Sequence, residues 1–281
     1  MPANAIAVPP FARWDDYVGE WCYEPTRFAR MWRAVEIMNL PVHMAAGPPP
    51  KPATLTEMVP AKGGKNVAVI KAAGTLMKGQ SSLGGATSTI QLRRELRAAV
   101  NDPTVSGIML AIDSPGGTVA GTDAVATDVR RARRFKPVHA HIEDLGASAA
   151  YWIGSQAGVL TAGSPTALVG SIGTVLTVHD ASAAAEREGV KTLVFATGPI
   201  KGAGTPGTVV SDEHAAYFQS IVNGIQQHFD TAVRSGRQMT AGQLAAVRTG
   251  GVWPASEAVG LKLVDGIKSL DAAIDALAAA G

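Results

Sequence analysis

The chain has 281 residues, enough for one large domain or two small ones around a substantial core. With 46% hydrophobic and 17% charged residues it is not a disordered chain, and a net charge of +2 is too small to argue for nucleic acid or anionic lipid as a partner. Cys22 is the only cysteine, so no intrachain disulfide can form, and a reducing compartment is the simpler reading.

The N-terminus carries Asp15, Asp16 and Glu20 and has no basic stretch followed by an apolar run, so no secretory signal is expected. The first forty residues hold seven of the fifteen aromatics, and Thr26 is placed to cap a helix running to about Met38. Gly47-Pro-Pro-Pro-Lys-Pro52 then breaks regular structure. The expected organisation is therefore an aromatic-rich arm over 1–46, a linker over 47–64 and one catalytic-sized domain over 65–281.

Beyond the linker, strands and helices alternate. Strands are expected at Asn66–Ala72, Val105–Ile112 and Pro137–Ile142, and helices at Thr87–Val100, Ala120–Arg134 and Ser148–Ala157. Further strands are expected at Thr174–Val178 and Thr192–Ala196, then a long helix at Ser211–Arg234 and a short one at Leu270–Ala279. Such alternation implies an α/β fold with parallel pairing. From Leu145 to Val178, 34 residues pass without an ionisable side chain other than Tyr151, but six glycines, eight Ser or Thr and Pro165 exclude a clean membrane span. A neutral stretch rich in small residues fits a buried site better.

Four turns carry the candidate chemistry. Asp113-Ser-Pro-Gly-Gly117 follows a buried strand, where Gly116 and Gly117 let a backbone N–H approach a substrate oxygen. Gly146-Ala-Ser-Ala-Ala-Tyr151 places Ser148 at a strand-to-helix turn among small residues, with the Ala149 N–H at the positive end of the helix. Gly170-Ser-Ile-Gly173 is a third small-residue turn. Thr197-Gly-Pro-Ile-Lys-Gly-Ala-Gly204 sets one lysine, Lys201, in a glycine-rich loop. A serine is a weak nucleophile until a neighbouring base takes its proton, and a desolvated lysine is able to do that.

In the order and spacing of these turns, with Gly251-Val-Trp253 and Ala258-Val-Gly-Leu-Lys-Leu-Val-Asp265 behind them, the chain resembles peptidase family S49, the signal peptide peptidase A and phage capsid-assembly protease group. The resemblance implies a ClpP/crotonase-like α/β core of repeated β-β-α and βαβ units with a helical N-terminal arm. It implies Ser148 as nucleophile and Lys201 as general base, Gly117 and Ala149 as oxyanion-hole donors, and Ser171 and Gly116 in support. A homo-oligomer, protein or peptide substrates and no cofactor or metal follow from the same resemblance. Where many relatives have Ser-Gly-Gly-Tyr this chain has Ser148-Ala-Ala-Tyr151, and the membrane anchor typical of signal peptide peptidases is not expected, the N-terminal arm standing in its place. That favours a phage-type enzyme of the host cytoplasm or procapsid, with the arm docking capsid or scaffold proteins.

Rival readings rest on other residues. His179-Asp180 offers a histidine-based triad, and His139, His141 and Glu143 share a strand face where a metal could sit. Arg130, Arg131, Arg133, Arg134 and Lys136 end a helix, where solvation and the helix dipole explain them without nucleic acid. A crotonase-like acyl-CoA enzyme and an inactive assembly protein remain alternatives on the same fold.

Overall fold

Apolar runs without polar alternation predict strands covered on both faces. The computed structural model describes residues 21–23, 54–61, 64–79 and 85–280. Its first half contains β1 (Trp21–Tyr23), β2 (Thr56–Pro60), β3 (Asn66–Ala73), β4 (Thr75–Met77), β5 (Ala86–Ser88), α1 (Thr89–Asn101), β6 (Val105–Ser114), β7 (Gly116–Thr118), α2 (Thr122–Ala132) and β8 (Val138–Ala147). There follow α3 (Ala149–Gly154), β9 (Val159–Ala162), β10 (Leu168–Gly170), α4 (Ser182–Arg187) and α5 (Asp212–Gly236). The chain closes with α6 (Ala241–Val247), β11 (Val252–Pro254), α7 (Ala255–Ala258), β12 (Gly266–Ile267) and α8 (Leu270–Ala280).

The main sheet runs β11-β10-β8-β6-β3-β2, with β9 pairing β8 and β12. β3, β6 and β8 are mutually parallel, each pair joined by a helix, as the alternation requires. Ala68, Ile70, Ile108, Leu110, Ala140 and Ile142 face the large core under α1, α2 and α3. Val67, Val69, Met109 and Ala111 face the other side, where Ala273, Ile274 and Leu277 of α8 cover them. Both faces are thus apolar, which explains the uninterrupted runs in the sequence. A smaller sheet, β1-β7-β4-β5, lies at the carboxyl end of β6.

α1 is capped at both ends by side chains. Ser88 Oγ accepts the Gln91 N–H at 3.4 Å, and at the far end Lys136 Nζ donates to the Ala99 carbonyl at 2.8 Å and to that of Asp102. Arg133 donates to the Gln156 carbonyl at 3.2 Å. Two members of the basic run therefore act as structural donors to carbonyls.

Three expectations meet a different outcome. Residues 174–178 and 192–196 form no strand; Val175 makes a single antiparallel bridge to Trp21, while Leu193 and Phe195 stand 63% and 93% exposed. β-propensity needs an edge to pair with, and among the described residues none pairs with 192–196. β2 falls inside the stretch read as linker, paired antiparallel with β3. The helix expected at Thr26–Met38 lies outside the described residues, as does most of the arm. No helix among the described residues is long and apolar enough to cross a membrane.

His139 and His141 occupy β8 positions opposite Met109 and Ala111. His141 is buried, its Nδ1 paired with Thr161 Oγ1 at 2.9 Å. Among the described residues no group of three or more potential ligands is placed to hold a metal. Burial holds both imidazoles below their ordinary value near 6.5, with Lys268 adding to the effect at His139. The native state therefore keeps them neutral, while the unfolded chain protonates them as pH falls through 6.5. Their contribution is fully present above that pH and is lost progressively below it, toward the depressed native values. The urea midpoint is expected to drop between about pH 7.5 and about pH 5, and His141→Gln should flatten part of that drop. An equal drop in the variant would remove His141 from the account.

Candidate active site

β8 delivers the serine turn. Its first half pairs with β9 and its last residues, Leu145–Ala147, with β10, so the strand runs several residues beyond its expected end and stops directly at Ser148. Ser148 takes φ 55°, ψ −117°, a conformation that L-residues avoid and that costs about 1–3 kcal/mol. Its N–H is held by the Gly170 carbonyl at 2.7 Å, and its C=O accepts the Trp152 N–H at 2.8 Å, starting α3. Fixed on both sides, the turn holds Ser148 in a sharp bend between the end of β8 and the start of α3.

Ser148 is fully buried. Among the described residues its Oγ reaches only the Gly173 carbonyl, at 3.5 Å, which is too long to commit the hydroxyl. Ala149, the first residue of α3, presents an N–H that has no acceptor within the helix. All six residues of α3 are buried, with Trp152 stacked on Phe229 of α5 at 4.7 Å and Tyr151 Oη donating to the Leu263 carbonyl at 2.9 Å.

Next to this turn in the sheet lies the Asp113–Gly117 loop, since Ser114 is in register with Gly146. Ser114, the other serine of these motifs, is engaged elsewhere: its Oγ donates to the Gly74 carbonyl at 2.6 Å and accepts the Gly116 N–H at 3.2 Å. Gly116 sits at φ 103°. A Cβ on Gly117 would lie 1.7 Å from the Leu76 carbonyl oxygen, so no larger residue fits against β4. The two glycines of this motif thus have different reasons, one conformational and one of space.

Ser171 likewise has a positive φ, 51°, is buried, and donates its N–H to the Gly251 carbonyl at 2.6 Å. The Trp253 ring lies over Gly170, where a Cβ would come within 2.8 Å. The Gly251-Val-Trp253 motif therefore buttresses both serine turns. The Ala258–Asp265 motif acts from the other side: Asp265 holds Arg237 in a two-pronged ion pair at 2.6 and 3.0 Å and accepts the Leu160 N–H at 2.7 Å. Burial opposes ionisation of Asp265, but the Arg237 and Leu160 hydrogen bonds prevail and hold its carboxyl below the usual range.

The structure brings Ser148, Ala149, Ser171 and the Gly116-Gly117 loop to one end of the sheet. It does not bring Lys201 to them. That residue is exposed and lines a separate surface hollow with Pro199, Ile200, Tyr217 and Phe218. No hydrogen bond joins it to Ser148 or Ser171 among the described residues. The rival histidine fares no better. Asp180, which would orient His179, accepts Ser182 and Val210 hydrogen bonds that hold its carboxyl low.

Against known families, residues 130–280, more than half of the 281, match the description "Peptidase family S49". The chain belongs to peptidase family S49. Its α/β sheet with flanking helices is consistent with the ClpP-like fold of that family. Relatives include Protease 4 of Salmonella typhi, 31% identical over 219 residues, 76% of this chain and 34% of that protein. Capsid assembly protease C of Escherichia phage lambda is 31% identical over 202 residues, 71% of this chain and 46% of that protein. A putative signal peptide peptidase SppA of Enterococcus faecium is 26% identical over 184 residues, 65% of this chain and 53% of that protein. The chain thus spans from about a third to about half of the length of these S49 relatives.

Proposed function

We infer that the chain is a serine endopeptidase whose nucleophile is Ser148 and whose general base is Lys201. The observation that carries this is Ser148 itself, a buried serine kept in a strained conformation between Gly170 and α3 with its hydroxyl uncommitted. A serine that only capped a helix would sit in the extended region with its Oγ on a backbone N–H, as Ser88 and Ser211 do. In the proposed reaction Ser148 Oγ attacks the scissile carbonyl while the neutral Lys201 amine takes its proton. The oxygen that becomes negative is met by the N–H groups of Gly117 and Ala149. The protonated lysine then gives its proton to the leaving amine, and water releases the acyl group by the same route.

For Lys201 to act, its loop must leave solvent and reach Ser148. We attribute this to assembly of identical copies. Val190, Leu193, Val194 and Phe195 stand exposed on the stretch leading into the loop, and in the first half of α5 Phe218 and Ile221 are only half-buried. Covering this surface with a second copy would also desolvate the lysine. The similarity to a phage capsid assembly protease favours scaffold or capsid proteins as substrates, with the aromatic-rich arm as the docking element. Two measurements test the reading on the full chain. A fluorophosphonate probe should label Ser148, and light scattering should give a multiple of the 28.9 kDa chain mass. Absence of labelling under conditions where the chain is assembled removes the peptidase reading, and with it favours an acyl-CoA enzyme or an inert assembly protein.

A further inference from the structure

A peptide substrate must lie extended, with its scissile carbonyl between Ser148 Oγ and the Gly117 N–H. The strip that meets both conditions is bordered on one side by β7, which holds Gly117. On the other side it is bordered by the segment after Gly173, whose carbonyl lies beside Ser148 Oγ. In the structure this strip is filled. β1 runs antiparallel to β7 with Trp21 opposite Thr118, Cys22 opposite Gly117 and Tyr23 opposite Gly116. On its other edge Trp21 exchanges both backbone hydrogen bonds with Val175, at 2.9 Å each.

Neighbouring residues of a strand turn their backbone groups to opposite edges. With Trp21 bonded to Val175, Cys22 turns its N–H and C=O toward Gly117. The Cys22 carbonyl therefore faces the N–H assigned to the oxyanion. The aromatic side chains on either side anchor the segment. Trp21 and Tyr23 are 2% and 7% exposed, meet edge to face at 5.7 Å and pack on Met77, and Tyr23 Oη is bonded to Thr75 Oγ1 at 2.9 Å. Tyr23 also lines a hollow of about 190 Å³ with Ser171, Gly173 and Val175. With this strand in place Ser148 and Gly117 are buried.

We propose, resting on the reading of Ser148 and Gly117 just given, that the cleft between β7 and Val175 is a binding site for an extended peptide and that Trp21–Tyr23 is its resident occupant. The segment mimics a substrate strand with aromatic residues at alternate positions, and a true substrate enters by displacing it. The class of ligand follows from the walls: an extended peptide that pairs antiparallel with β7 and offers bulky apolar side chains two residues apart.

The test uses the full chain carrying Ser148→Ala and a fluorescein-labelled synthetic peptide of residues 18–26 with serine in place of its cysteine. Cys22→Pro in the chain removes a strand N–H and should free the cleft, and Trp21→Ala should do so by losing the aromatic anchor. Either is expected to tighten peptide binding at least tenfold over the chain with β1 intact. With Ser148 restored, the same variants should react with the fluorophosphonate probe at least tenfold faster. Unchanged or weaker peptide binding in variants that keep the native circular dichroism overturns the proposal. So does unfolding of both variants, because β1 would then be part of the core. Tighter binding with no probe reaction in any chain leaves the cleft in place and removes the serine reading instead.

Discussion

Ser148→Ala is expected to lower peptide cleavage on the order of 10⁶-fold and to abolish fluorophosphonate labelling, while the urea midpoint stays where it was. The alanine keeps the same strained backbone and loses one hydroxyl that holds nothing in place, since its nearest acceptor is the Gly173 carbonyl at 3.5 Å. Ser148→Gly should be equally inactive and more stable, by about 1 kcal/mol, because glycine adopts φ 55° without the Cβ penalty. The pair of variants separates chemistry from strain. If glycine fails to raise the midpoint, the turn is not strained in solution; if either variant still labels at full rate, another residue is the nucleophile.

Lys201→Arg is expected to be as inactive as Lys201→Ala, at least 10³-fold down in kcat/KM, although it keeps the positive charge. A guanidinium does not give up its proton under these conditions and so cannot take one from Ser148. Because Lys201 is exposed in the single chain, the proposed assembly carries a second, measurable expectation. Mixing inactive Ser148→Ala and Lys201→Ala chains should restore part of the activity if the base reaches the serine of a different copy. Dead mixtures with active wild-type oligomers would place both groups in one chain, brought together by loop movement. His179→Ala should keep most activity. Loss of activity there, with the Lys201 variants active, would replace the dyad by a histidine-based site.

The central strands and helices were legible because burial on both faces leaves a plain signature. The expected strands Val105–Ile112 and Asn66–Ala72 contain the uninterrupted apolar runs Ile108–Ile112 and Val67–Ile70, and the structure extends each strand by only one or two residues. The serine turn was legible for a related reason, since small residues are needed wherever backbone must pass close to backbone, as Gly117 does against Leu76. The short strands of the second sheet were not. β4, β5 and β7 have three residues each and carry no periodicity of their own. Nor was Arg237 identified, though it anchors the Asp265 motif, because an arginine just past the end of an amphipathic helix looks the same in sequence whether solvated or buried. The unpaired segment at 192–196 misled for the opposite reason: its residues favour a strand, but pairing depends on an edge the sequence does not mention.

The Gly251 carbonyl that holds Ser171, and the Trp253 ring packed on Gly170, have a consequence for the chain as it is synthesised. Ser148 is positioned through the Gly170 carbonyl, and Gly170 lies in β10 against β11. The residues that complete the support of Ser148 therefore leave the ribosome long after Ser148 itself. A nascent chain that has exposed Ser148 but not Val252–Pro254 lacks the strand that pairs with β10 and the ring that packs on Gly170, so the serine turn takes its final shape only after β11 has been made.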